Sequence, residues 1–257
     1  MSTSNLLLPV YGLIVGMLVG LTGMGGGVIM TPILMLGLGL PASTAVGTDL
    51  AYATVTKMVG TWQHWRQGTV DGAIVRGLAL GSVPSSLVAV ILVAWLRRAD
   101  HERVDGWLEH AIGGALLLAA FLMLYRLVRG RGHDTTASIA AHARAKLIAI
   151  GALGGLMVGL TSIGSGSLIL ALLVLVVPLG AERLVGTDVA HATLLVGTAA
   201  IAHLLAGDVD LGMVGWLVLG SIPGILIGSR LVLRVPRRPL QIGLAGLLLT
   251  TSVPLLR

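Results

Sequence analysis

The chain has 257 residues, of which 55% are hydrophobic and 11% charged, with a mean hydropathy of +0.95. Water-soluble domains carry about 25% charged residues, so this composition excludes an ordinary soluble domain and fits the bilayer as solvent. There is no cysteine, which excludes disulfides, thiolate metal sites and a catalytic Cys, and the net charge of +6 gathers in a few loops, as membrane topology requires and nucleic-acid binding does not.

In chain order, the first apolar segment spans about residues 6–22. It has no basic leader and no small-x-small cleavage site, and reads as a retained helix. A glycine-rich break, Thr22-Gly23-Met24-Gly25-Gly26-Gly27, follows. The second segment, about 28–40, has only about 13 apolar residues, short of the roughly 20 that a full span needs. It either re-enters as a hairpin with the first segment or crosses as half of a broken pair. Segments at about 44–66, 72–96 and 107–127 complete a unit over residues 1–128. A cytoplasmic linker is expected at 129–145. Segments at about 147–161, 167–179, 184–205, 211–233 and 239–256 make a second unit over 146–257.

The second unit repeats the first at an offset of 139 residues. Gly20-Leu21-Thr22 recurs as Gly159-Leu160-Thr161, and Gly47-Thr48-Asp49 as Gly186-Thr187-Asp188. His64 pairs with His203, Asp71 with Asp210 and Pro84 with Pro223, within 31 identities over the 78 ungapped positions 16–93. Apolar bias alone does not supply a shared Asp, His and Pro. Each unit crosses an odd number of times whether its second segment spans or re-enters, so the second unit is inverted relative to the first. The expected fold is therefore all-α and polytopic: two inverted repeats of about five segments, each with a broken or re-entrant glycine-rich pair.

Basic residues set the expected orientation. Arg126, Arg129, Arg131, Arg144 and Lys146 flank the central loop, Arg234, Arg237 and Arg238 the last loop, Arg66 and Arg76 the loop at 67–71, and Arg183 precedes the eighth segment. All fall on one side, assigned to the cytoplasm, with both termini outside. The outer side receives Asp208, Asp210 and a mixed loop holding Arg97, Arg98, Arg103, Asp100, Glu102 and Asp105.

The breaks are the first candidates for chemistry. Glycine lets the backbone leave a helix and present N–H groups, and a restarting helix adds a positive dipole end, which together suit an anion. The expected substrate-binding residues are Thr22, Gly23, Gly25, Gly26 and Gly27 in the first break, with Thr161, Ser162, Gly164, Ser165, Gly166 and Ser167 in the second. Tyr52 and His191, equivalent positions one turn beyond each Asp, join them. The competing reading is that these glycines only permit close helix crossing.

Asp49 and Asp188 lie inside apolar helices, where a carboxylate has a function or a partner. They either couple a proton or hold the backbone of the broken segments. Lys57, whose counterpart is Val196, either attracts an anion or pairs with Asp49. His64 and His203 either relay protons or pack at the interface, His64 beside Trp62 and Trp65. Pro84 and Pro223 are expected to kink their helices. No His-Glu-x-x-His motif, nucleotide loop or Gly-x-Ser-x-Gly elbow occurs, so no enzyme, metal or cofactor is expected.

The run Gly20-Leu21-Thr22-Gly23-Met24-Gly25-Gly26-Gly27 with Pro32, Gly47-Thr48-Asp49 and its echo Gly186-Thr187-Asp188 resembles the sulfite exporter TauE/SafE family of membrane permeases over nearly the whole chain. The resemblance implies a secondary transporter of the cell membrane, with a small sulfur-containing anion such as sulfite or sulfoacetate as substrate. A passive anion channel and a small-carboxylate transporter are the alternatives. The expected partners are the anion, the lipid bilayer and a second copy of the chain in a homodimer.

Overall fold

The computed structural model describes residues 3–22, 26–129, 141–166, 168–231 and 237–256. These residues form helices joined by short turns, with no strand among them. In the first half they are α1 (Thr3–Thr22), α2 (Gly27–Pro32, continued by a wider turn over Ile33–Gly37), α3 (Ala42–Arg66), α4 (Gly72–Arg97) and α5 (His101–Arg129). In the second half they are α6 (Ala141–Thr161), α7 (Leu168–Val176), α8 (Ala181–Ala206), α9 (Leu211–Leu231) and α10 (Arg237–Leu255).

Among the described residues, five helices are long and apolar enough to cross a membrane. The molecule is built inside out relative to a soluble protein. Leu80, Val88, Ile91, Phe121, Ile201, Leu205 and Leu219 face outward, while Asp49, Thr48, Thr187, Asp188, His191, His203 and Asp208 are buried. Apolar side chains need no burial in lipid, whereas unpaired polar groups cannot face it, so the polar side chains collect inside.

Two helix pairs form the frame. α1 packs on α9 in the same sense: Gly12 meets Leu217, Gly16 meets Ser221 and Gly20 meets Ile225. α6 packs on α4 likewise, with Gly151 against Leu78, Gly155 against Ser82 and Gly159 against Ser86. A Cβ at any of these glycines would run into the facing backbone. Without a hydrophobic force between helices in lipid, such backbone approach is a main source of association. Each pair joins the first helix of one half to the fourth of the other. α5 lies against α10, where Gly113 meets Leu255 and Leu256, and α3 crosses α8 in the middle.

α3 starts beside Asp105, Asp208 and Asp210 and ends at the turn holding Thr69 and Asp71. α8 starts beside Thr69 and Asp71 and ends at Gly207. The two helices are antiparallel and define an Asp208 end and a Thr69 end of the bundle. α1 runs in the sense of α9, away from the Asp208 end, yet α3 begins again at that end. The stretch between them, 27–37, has 11 residues, about 16 Å of helix against a core of about 30 Å. It re-enters and does not span. α7, at nine residues, is shorter still.

Two boundaries differ from the sequence reading. α5 begins at His101 and α6 at Ala141, each six residues before its apolar segment. Charged residues continue a helix past the lipid boundary, where water satisfies them. Residues 130–140 of the expected linker lie outside the described residues. α4 and α9 run unbroken through Pro84 and Pro223.

Candidate functional site

The first helix of each half stops at the break and the chain reverses. In the second half, Thr161 Oγ1 donates to the Met157 carbonyl at 2.7 Å and accepts from the Ile163 N–H at 3.2 Å, closing the end of α6. Ser162 then takes φ 60°, the left-handed region that side chains rarely occupy, followed by Gly164 at φ 124° and Gly166 at φ 99°. Ser162 is the one non-glycine residue in that region among those described. Such a conformation persists only where the surroundings enforce it.

Asp49 does so. Its Oδ2 accepts from Ser162 Oγ, across the interface between the halves, and from Thr31 Oγ1 at 2.8 Å, within its own half. Gly27 lies against the Ser162 carbonyl and hydroxyl, and a Cβ there would come within 3.0 Å of Asp49 Oδ2. Gly26 faces the Tyr52 ring and Asp49 Oδ1. The structure thus brings both breaks together at one carboxylate. Gly23, Gly25 and Ser167, and the side chain of Thr22, lie outside the described residues.

The rest of the Gly-Thr-Asp element reaches the opposite half. Gly47 packs on the Asp208 backbone and Gly186 on Thr69. Thr48 Oγ1 accepts the Asp210 N–H at 3.1 Å, and Thr187 Oγ1 accepts the Asp71 N–H at 2.9 Å. Asp71 caps α4 through the N–H groups of Ala73 and Ile74, and Asp210 accepts from the Met213 N–H of α9. Each element therefore clamps the turn before the fourth helix of the other half. The sequence presented Asp49 and Asp188 as couplers or scaffolds. For Asp49 the scaffold bonds are visible, while its Oδ1 keeps no protein partner.

Tyr52 and His191 do not meet one another's helices at a shared bond. The His191 Nε2 shares a hydrogen bond with Ser82 Oγ of α4 at 2.8 Å, and the Tyr52 hydroxyl points toward Ser221 of α9 without a closed hydrogen bond. Serines 82 and 221 are equivalent positions in the two halves. Tyr52 OH, His191 Nδ1 and Asp49 Oδ1 are buried polar atoms with no protein partner. Native interiors hold few such atoms, and each has a reason. Lys57 makes no ion pair within 4.0 Å among the described residues, so the expected pairing with Asp49 is not formed.

The two histidines part company. His64 Nδ1 bonds Thr69 Oγ1 at 2.9 Å near the surface, flanked by exposed Trp62 and Trp65. His203 is buried, and its Nε2 donates to the Gly159 carbonyl at 3.1 Å. Its Nδ1 faces Asp208 Oδ2 at 3.4 Å, while Asp208 Oδ1 pairs with Arg97 Nη1. Burial pushes the Asp208 carboxyl up, but the His203 contact and the Arg97 charge outweigh it and hold it below the usual carboxylate range. Sequence reading placed Arg97 and Asp208 on one side of the membrane without pairing them. Their separation of 111 residues hides the contact.

A profile of the sulfite exporter TauE/SafE family matches residues 8–255. The chain is 42% identical over the full length of both proteins to the "Probable membrane transporter protein YjnA" of Bacillus subtilis (strain 168). It is 27% identical to the "Probable membrane transporter protein YdhB" of the same organism, over 92% of this chain and 96% of that one. No solved structure matches the chain. Profile and full-length identity agree with each other: the chain belongs to the sulfite exporter TauE/SafE family of membrane transporters.

Proposed function

We propose that the protein is a secondary transporter of a small sulfur-containing oxyanion or organosulfonate, of the sulfite or sulfoacetate type, working by alternating access in the cell membrane with its termini outside. The observation that carries this reading is the convergence of the two breaks at Asp49, whose Oδ1, like the hydroxyl of nearby Tyr52, the protein itself does not satisfy. The Tyr52 hydroxyl, on the ring that Gly26 faces beside Asp49 Oδ1, offers a donor to an oxyanion there.

The same geometry supports coupling to protons. An anion placed beside Asp49 Oδ1 is repelled while that carboxylate is charged. A proton on Asp49 removes the repulsion, so anion and proton favour each other's binding by reciprocal linkage. Alternate exposure of this central site follows from rocking of the α1·α9 pair against the α4·α6 pair about the antiparallel α3 and α8.

The test is uptake of labelled sulfite into proteoliposomes, with sulfoacetate, sulfate and taurine as competitors. Saturable uptake, inhibited by one sulfur anion, is the expected outcome, and Tyr52→Phe raises the half-saturating concentration about tenfold by removing one donor. Unsaturable flux that never exceeds equilibrium would replace the carrier with a channel. Competition by small carboxylates alone would replace the substrate class.

A further inference from the structure

The two ends of the bundle carry equivalent turns at the 139-residue offset, yet the chain finishes them differently. At the Thr69 end, Thr69 bonds His64, and Asp71 pairs with Arg183 at 3.3 Å, an arginine whose side chain is 52% exposed. At the Asp208 end the equivalent of Thr69 is a carboxylate, 4% exposed, between Arg97 of α4 and His203 of α8. Arg97 also reaches Asp105 at 3.9 Å, and Asp105 accepts the Ser43 N–H at the start of α3. Four helices and the α8–α9 turn are thereby tied at one end through charge. His203 flanks the same carboxylate: its Nε2 gives its N–H to the Gly159 carbonyl, and its Nδ1 stands 3.4 Å from Asp208 Oδ2 without closing a hydrogen bond.

Nothing in the central site needs this cluster. Asp208 lies against Gly47 by its backbone alone, and its carboxylate points away to Arg97. A buried ion pair gives little net stability over apolar packing, but breaking it leaves a charge stranded. It suits an element that must be either fully made or fully opened.

We propose that Arg97, Asp208 and His203 form a charge latch that holds the Asp208 end of the transporter closed and parts when that end opens. The latch rests on the transporter reading but not on the identity of the anion. The opposite end, with a threonine at the equivalent position, opens without breaking a buried pair.

The chain has no native cysteine, so a single introduced thiol reports alone. Ser43 is buried beneath the latch, and its hydroxyl has no partner, so Ser43→Cys replaces it at little structural cost. The test is the rate at which a small membrane-impermeant thiosulfonate labels S43C in proteoliposomes without substrate. In the parent background labelling is slow. Adding Arg97→Gln or Asp208→Asn raises the rate at least about tenfold, the change that follows from moving a two-state equilibrium by one factor of ten. Arg97→Lys keeps the charge and stays within about threefold of the parent. Labelling in the Gln variant no faster than in the parent, or equal labelling in the Lys and Gln variants, overturns the latch. A thermal melt of each variant in detergent separates opening from unfolding, since a latch variant labels fast well below its transition. The readout uses no anion, so a wrong substrate leaves the latch standing, and unchanged labelling leaves the uptake assay untouched.

Discussion

The pairs α1·α9 and α4·α6 touch backbone to backbone, whereas α3 and α8 cross through side chains that hydrogen-bond. In the first region Gly12, Gly16 and Gly20 leave no room for one added carbon. In the second, Gly60 sits at ordinary contact from Val189, 3.4 Å from a built Cβ, and Thr61 bonds Thr193 at 2.6 Å. Close-packed glycine contacts have one fit and resist sliding, while hydroxyl bonds can be exchanged for others of similar strength. The difference separates two rigid pairs, each built from one helix of either half, from a polar axis on which those pairs can shift. The residues of the proposed site sit on the axis: Asp49, Tyr52, Lys57 and His64 are on α3, and Asp188, His191 and His203 on α8.

The largest effect is expected in the frame. Gly155→Ala places a methyl into the Ser82 carbonyl and lowers stability by about 3 kcal/mol or more, read as loss of cooperative melting in detergent. Gly114→Ala, where a Cβ meets nothing, is neutral or slightly stabilising, and equal damage from both would erase the distinction between frame and surface. Next comes the junction of the breaks. Asp49→Ala strands the Thr31 and Ser162 hydroxyls and costs about 2 kcal/mol, whereas Asp49→Asn keeps an accepting oxygen and most of the stability. A melt in which Asn and Ala variants fall together would remove Asp49 from its scaffold role.

On the axis, Thr61→Val costs less than about 1 kcal/mol, because Thr193 retains its bond to the Val189 carbonyl at 2.9 Å. A loss of several kcal/mol there would make the axis as rigid as the frame. The smallest effect is that of pH on the latch. A carboxylate held below its usual range contributes fully above that range and is lost only as pH falls through the lowered value. The titratable and charged groups facing it are Arg97, His203 and, beyond Arg97, Asp105. S43C labelling, divided at each pH by the rate for a free cysteine thiol, is therefore expected to stay level from pH about 8 to about 5. Faster labelling in acid would contradict the pairing.

The helices and the doubling of the chain are legible in the sequence because apolar length and repeated polar residues are local signals. The short second segment is legible too, since 13 apolar residues fall short of a span, and the structure settles its course as re-entrant. The pairing of helices is not. Glycines four apart at 12, 16 and 20, at 151, 155 and 159, and at 220, 224 and 228 mark a packing stripe, but a stripe does not name the helix that meets it. The Gly-Thr-Asp element draws attention to its Asp, while Gly47 and Thr48 act just as directly on the opposite half, through contacts that only the folded chain creates. Equivalence by offset misleads at His64 and His203, because their surroundings diverge at positions 69 and 208.

The most direct test is accumulation of labelled sulfite in proteoliposomes under an imposed pH gradient, in the parent and in Asp49→Asn. The account predicts saturable accumulation above equilibrium in the parent, and in the variant saturable uptake that stops at equilibrium and ignores the gradient. Gradient-driven accumulation by the variant equal to the parent, or no movement of any sulfur anion by the parent, would contradict it.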